Sequence, residues 1–123
     1  MDAYLKAISY YLPEKIITND DLIQEYPEWT AEKITAKIGV DERHVVKDNE
    51  TALDLAVNAA EKLFFEHNID RKSIDYILLC TQSPDYFLPT SACIIQDKLK
   101  IPKSCGAFDF NLGCSGFIFG LMI

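Results

Sequence analysis

The feature that most narrows the fold is the unbroken apolar run Tyr76-Ile77-Leu78-Leu79-Cys80. A strand with one face in water alternates polar and apolar residues. A strand that is apolar throughout is covered on both faces, as parallel strands between helical layers are. The segment before it has helical period, with Leu53, Val57, Ala60 and Phe64 at i, i+4, i+7 and i+11. Thr51 followed by Asp54 is a capping-box variant that starts this helix, and Asn68 is a natural stop. Alanines at positions 52, 56, 59 and 60 keep the helix slim enough to pack closely on a sheet. After the apolar run come a loop with Pro84 and Pro89, a helix from about Thr90 to Leu99, a short strand Ala107–Phe110 and a helix starting near Cys114. Helices alternating with buried strands predict a layered α/β fold.

The first fifty residues are more broken. Ala3–Leu12 reads as a strand ended by Pro13. Asn19 is placed to cap a short helix that Pro27 breaks, with Asp20 and Asp21 at the positive end of its dipole. Thr30 caps a second helix, with Ile34 and Ile38 one turn apart and Gly39 as its stop. Arg43–Lys47 is a candidate short strand. No repeat, Gly/Ser linker or low-complexity stretch marks a boundary, so the 123 residues are expected to form one domain.

Charge and cysteine content exclude several classes. A net charge of −7 disfavours general nucleic-acid binding, which needs surplus Lys and Arg. Cys80, Cys93, Cys105 and Cys114 form no C-x-x-C pair and no ligand-like spacing with histidine, so no metal site is expected and the thiols read as reduced. The N-terminus lacks the basic-then-apolar pattern of a secretory signal, which suggests a cytoplasmic protein. From Asn111 to Ile123 no residue is charged. That stretch is too short for a bilayer, which needs about 20 apolar residues. It reads as a helix buried on all sides, with the expectation that the chain is cut within it or needs a partner surface.

One segment offers chemistry: Phe108-Asp109-Phe110-Asn111-Leu112-Gly113-Cys114-Ser115-Gly116-Phe117. A strand ends, Gly113 turns the chain, and a helix begins within a residue or two of Cys114. A helix N-terminus favours thiolate, and its unpaired N–H groups can hold a developing oxyanion. Carboxyl ends of strands are also where open α/β sheets bind ligands. Against this, most cysteines in apolar settings are inert packing. Cys80 and Cys93 read that way, and Cys105 as a surface or strand-entry thiol. The hydrolase elbow G-x-S-x-G is excluded, because neither Cys114 nor Ser115 has glycine at both flanking positions. His44 and His67 read as ordinary surface residues.

The chain resembles the N-terminal half of the β-ketoacyl-acyl-carrier-protein synthase III family, of thiolase-like fold. The resemblance runs through Tyr11-Leu12-Pro13-Glu14, Thr18-Asn19-Asp20-Asp21-Leu22, Lys37-Ile38-Gly39-Val40, Glu42-Arg43-His44 and Glu50-Thr51-Ala52. It continues through Ser83-Pro84-Asp85-Tyr86, Pro89-Thr90-Ser91-Ala92-Cys93 and Phe108-Asp109-Phe110-Asn111 to Cys114-Ser115-Gly116-Phe117. It implies that Cys114 accepts an acyl group from acyl-CoA as a thioester, which is then condensed with malonyl-ACP in fatty acid biosynthesis. The His and Asn that assist in the family lie in its second half, so the 123 residues alone are expected to be inactive. The resemblance maps CoA binding onto Lys33 to Gly39. There Lys33 stands where the family has an adenine-stacking aromatic, Trp29 lies one turn earlier as a possible substitute, and Lys37 sits near the phosphates. Leu88 matches a position that reaches the acyl pocket of a partner subunit, which implies a homodimer; acyl-CoA is a substrate and no cofactor is implied. Two other readings stay open: a non-catalytic binding unit, and a related condensing enzyme with another product.

Overall fold

The computed structural model describes residues 3–123. The chain packs as two compact units, Leu12–Glu50 and a larger one of residues 3–11 with Thr51–Ile123.

The smaller unit holds β1 (Lys15–Thr18), α1 (Asn19–Glu25), α2 (Ala31–Ile38) and β2 (Glu42–Val45), with β1 and β2 antiparallel in the register Ile16↔His44 and Ile17↔Arg43. Helix α1 starts one residue earlier than expected. Thr18, not Asn19, is the cap, and it forms a full box with Asp21. Asn19 is instead buried and central to a polar network. Its Nδ2 donates to Thr35 Oγ1 (2.9 Å) and Val40 O (3.0 Å), and Arg43 Nη2 donates to its Oδ1 (2.8 Å). Helix α2 follows the sequence closely, with Thr30 accepting from the Lys33 amide and Gly39 ending it at φ 71°.

The larger unit contains α3 (Ala52–His67), a 3-10 turn at Arg71–Ser73, β3 (Tyr76–Cys80), α4 (Ser91–Lys98), β4 (Gly106–Phe110) and α5 (Gly116–Gly120). The Thr51/Asp54 box and the left-handed Asn68 stop of α3 both appear as expected. β3 and β4 are parallel, with Leu79 opposite Asp109 and Cys80 opposite Phe110. α4 provides the crossover between them. The core is Leu53, Phe64, Ile95, Leu99, Ile101 and Cys105, with Ile77 and Leu79 packed against it.

Three expectations fail here. Ala3–Leu12 forms no strand, because no ladder partner exists for it among the described residues. It is tied to α3 by side chains instead: Ser9 Oγ donates to Glu66 (2.6 Å), and Lys62 Nζ lies 4.7 Å from the Tyr10 ring centroid. The all-apolar β3 is only partly covered, with both ends exposed and its middle half-buried. Ile77 and Leu79 meet the core, whereas Tyr76, Leu78 and Cys80 alternate onto the other face. That face is met by α5 through glycines one turn apart. Gly116 abuts Cys80, and a Cβ on Gly120 would stand 3.0 Å from Phe110 Cζ. The apolar side chains of α5 and beyond, Phe117 to Phe119 and Leu121 to Ile123, are exposed in this chain rather than buried on all sides.

Candidate active site

The site is built where β4 ends. Asn111 and Leu112 leave the sheet, and the Gly116 amide donates to Gly113 O (2.8 Å), closing a turn over Cys114 and Ser115. Cys114 is exposed at the crest of this turn. The amides of Cys114 and Ser115 have no acceptor among the described residues. A thiol beside free N–H groups is what nucleophilic attack on a thioester requires, because the incoming carbonyl oxygen gains charge as the bond forms. Helix α5 is shorter than the sequence suggested: five residues, beginning two after Cys114, with no side-chain cap. So short a helix sums few peptide dipoles, so the polar groups that count at the sulfur are local amides.

Beneath the crest, Cys80 Sγ donates to Leu112 O (3.4 Å) and lies 2.3 Å from where a Cβ on Gly116 would stand. To one side lies the β3–α4 loop, whose Gln82 Oε1 is 3.5 Å from where a Gly113 Cβ would be. Gln82, Ser83, Asp85, Tyr86 and Asn111 line a cavity of about 400 Å³ there. The loop is held at both ends. Thr51 Oγ1 donates to Asp85 Oδ2 (2.8 Å), and the Asp109 carboxylate accepts from the amides of Ser91 and Ala92 (both 2.7 Å). Asp109 thus caps α4 from the neighbouring strand, while the Thr90 hydroxyl turns to Cys93 Sγ (3.2 Å). Between these anchors Phe87 is 98% and Leu88 81% exposed, and the Leu88–Pro89 bond is cis.

Sequence reasoning missed Gln82, Asn111 and the capping role of Asp109. The first two had a usable signal, since they follow the carboxyl ends of the two parallel strands. The third had none, because its partners are 17 and 18 residues away.

Two of the other cysteines differ from expectation: Cys80 and Cys93 are exposed rather than buried packing. Cys105 stands at the entry to β4, one of the two places expected for it, and is buried there. Burial, with the Asp75 charge second, pushes the Cys105 thiol above its ordinary range. The ring nitrogens of both histidines face backbone carbonyls, His44 that of Pro13 and His67 that of Ile8.

In the smaller unit, Trp29, Lys33 and Lys37 come together along one groove with Glu28. Lys37 Nζ is 5.3 Å from the Trp29 ring centroid, a cation–π contact that already occupies one face of the indole. Beside it, Leu22, Tyr26, Ile34 and Ile38 line an apolar cleft that shares Trp29. An aromatic plane next to two ammonium groups suits a ligand with both a flat ring and negative charge.

No protein-family model matches the chain. Individual proteins do. It is 40% identical over 116 residues to a β-ketoacyl-[acyl-carrier-protein] synthase III of Xanthomonas campestris pv. campestris, covering 92% of this chain and 34% of that protein. It is 42% identical over 120 residues to the enzyme of that name from Campylobacter jejuni, covering 97% of this chain and 36% of the relative. The chain therefore spans about a third of the length of the curated relatives it matches. Among solved structures, a 3-oxoacyl-(acyl-carrier-protein) synthase III superposes with a TM-score of 0.89 at 52% identity, over 94% of this chain and 34% of that one. Sequence and fold agree: over nearly its whole length the chain matches the N-terminal part of β-ketoacyl-acyl-carrier-protein synthases III, and it shares their thiolase-like α/β fold.

Proposed function

We propose that this chain carries the acyl-accepting cysteine of a 3-oxoacyl-ACP synthase III. The thiolate of Cys114 attacks the thioester carbonyl of an acyl-CoA, the tetrahedral oxyanion rests on the Cys114 amide, and CoA thiolate leaves. Condensation follows: malonyl-ACP loses carbon dioxide, the resulting carbanion attacks the Cys114 thioester, and the cysteine thiolate is released with the 3-oxoacyl-ACP. Splitting the transfer this way gives two easier steps in place of one. We assign the second step to the longer polypeptide that the relatives represent, not to residues of this chain alone. The observation that carries the reading is the exposed Cys114 in a turn whose two amides have no acceptor among the described residues, at the carboxyl end of β4.

The same reading makes Trp29, Lys33 and Lys37 the contact for the nucleotide end of CoA, supported by their shared groove. It makes Leu88 a determinant of acyl-chain length in a homodimer, supported by its exposure on an anchored loop. The protein would work in the cytoplasm without a bound cofactor. No described helix is long and apolar enough to cross a membrane.

Intact-protein mass spectrometry after incubation with acetyl-CoA tests the first step. An acetyl adduct that maps to Cys114 and vanishes in Cys114→Ala is expected. No adduct, or one that persists in that variant, would favour a non-catalytic binding unit. The chain alone, given malonyl-ACP as well, is expected to yield no 3-oxoacyl product.

A further inference from the structure

We infer that Cys80 and Gly116 form an interlock that positions the nucleophile turn, with Cys80 acting as a positioning residue for Cys114. The inference rests on the acyl-transfer reading but reaches residues that reading does not use. Cys80 ends β3, and its side chain meets the turn on both sides of the nucleophile. It donates to the carbonyl of Leu112, two residues before Cys114, and it fills the notch at Gly116, two residues after. Gly116 is buried, and its backbone is ordinary, since Gly39 is the one described glycine with positive φ. Conformation therefore does not demand glycine at position 116. Space favours it: a Cβ there would stand 2.3 Å from Cys80 Sγ, so the thiol would have to swing out of the notch and away from Leu112 O. The sulfur thus sets how closely the start of α5 approaches the end of β3, and with it the height of the crest that holds Cys114.

The geometry makes a reciprocal test possible. With Cys80 shortened to alanine, the nearest atom of residue 80 to a Gly116 Cβ is its own Cβ at 3.8 Å, an ordinary contact. Leu112 Cβ, at 3.3 Å, remains a mild constraint. Cys80→Ala, Cys80→Ser, Gly116→Ala and the double variant C80A/G116A are made in the full-length protein. Two rates at Cys114 are read, acetyl loading from acetyl-CoA and alkylation by iodoacetamide, alongside thermal unfolding. Gly116→Ala is expected to slow both rates by at least about tenfold, since a displacement near 1 Å can cost as much as a hundredfold. Cys80→Ala should slow them by about threefold through loss of the tie to Leu112, and Cys80→Ser, which keeps a donor, by less. C80A/G116A should recover to within about threefold of wild type, which is the coupled behaviour of two residues in contact.

If the double variant is as slow as the product of the two single effects, the interlock is wrong. It is equally wrong if Gly116→Ala reacts at the wild-type rate, or if the variants lower the unfolding temperature while both rates stay unchanged. Should Gly116→Ala fail to fold, the recovery in C80A/G116A and the ranking of Cys80→Ser above Cys80→Ala still decide it. Wild-type protein that is alkylated but never acetylated would remove the acyl-transfer reading, whereas the alkylation cycle would still judge the interlock.

Discussion

The two units of this chain solve the same problem with different chemistry. The larger one is held by contiguous apolar side chains, with Leu99 and Ala92 almost fully removed from solvent. Among the described residues the smaller one buries only Pro13 and Ile34 of its apolar side chains, and it organises around Asn19 instead. That amide binds α2, the segment after it and β2 at once through Thr35, Val40 and Arg43. Thr35 Oγ1 passes the connection on to Asp41 (2.7 Å). A short segment with two four-residue strands cannot enclose much hydrocarbon, so a polar hub takes the place of a core. An apolar core tolerates changes of shape that conserve volume. A polar hub tolerates almost none, because each lost partner leaves a desolvated group behind.

The largest effect should come from the apolar side. Leu99→Ala, at a residue 1% exposed, is expected to cost about 2–5 kcal/mol, read as loss of amide-exchange protection in α3 and α4. A cost below 1 kcal/mol would mean the larger unit is not held by this core.

Asn19→Ala should come next, at about 2–3 kcal/mol, because it strands the Arg43 guanidinium as well as removing the hub. Nη1 of Arg43 is already buried without a partner, so no spare acceptor is at hand. Exchange at the amides of α1 and β2 is the readout. Protection equal to wild type would show that the smaller unit does not depend on its polar centre.

A pH effect should run in the same direction in both units. The Thr51 backbone amide, helped by Lys98 and the Thr51 hydroxyl, holds the Asp54 carboxyl below the ordinary carboxylate range. A depressed folded value stabilises the fold above the unfolded value, about pH 3.9, and the benefit disappears as pH falls through the folded one. Acid titration of α3 protection should therefore show a drop below about pH 4 that Asp54→Asn flattens. Asp21, lowered by the amide of Thr18, predicts the same direction in the smaller unit. A flat profile in wild-type α3 would contradict the box.

The smallest effect is expected at the groove. Lys37→Ala should change stability by less than about 1 kcal/mol and leave Trp29 fluorescence shifted by the loss of the cation over its ring. A larger loss would make this contact part of the unit's framework rather than a ligand-facing surface.

Local chemistry was legible wherever a few adjacent residues act together. Thr30, Gly39, the Thr51/Asp54 box and Asn68 all start or stop helices where their side chains and backbone preferences place them. The parallel strand Tyr76–Cys80 appears with the limits its apolar run shows. Errors gathered where a residue could serve two roles or needed a distant partner. Asn19 and Thr18 are both good caps, and burial of the Asn19 side chain in the hub left the cap to Thr18. Ala3–Leu12 has strand composition but, among the described residues, no neighbouring strand to pair with. Cys80 looked like filler in an apolar strand, because nothing local shows that Gly116, thirty-six residues later, leaves a notch its sulfur fits.

By itself, the sequence determined the limits of α2, α3 and α4, the parallel strand pair and the candidate nucleophile at the strand-to-helix turn. These depend on side chain and backbone within one or two turns of each other. Only the tertiary structure decided that Asp109 caps α4, that Trp29 and Lys37 stack, and that a sulfur and an absent side chain meet beneath Cys114. Those relations are contacts between segments far apart in the chain. Their energy comes from complementary shape and paired polar atoms, which no local periodicity records.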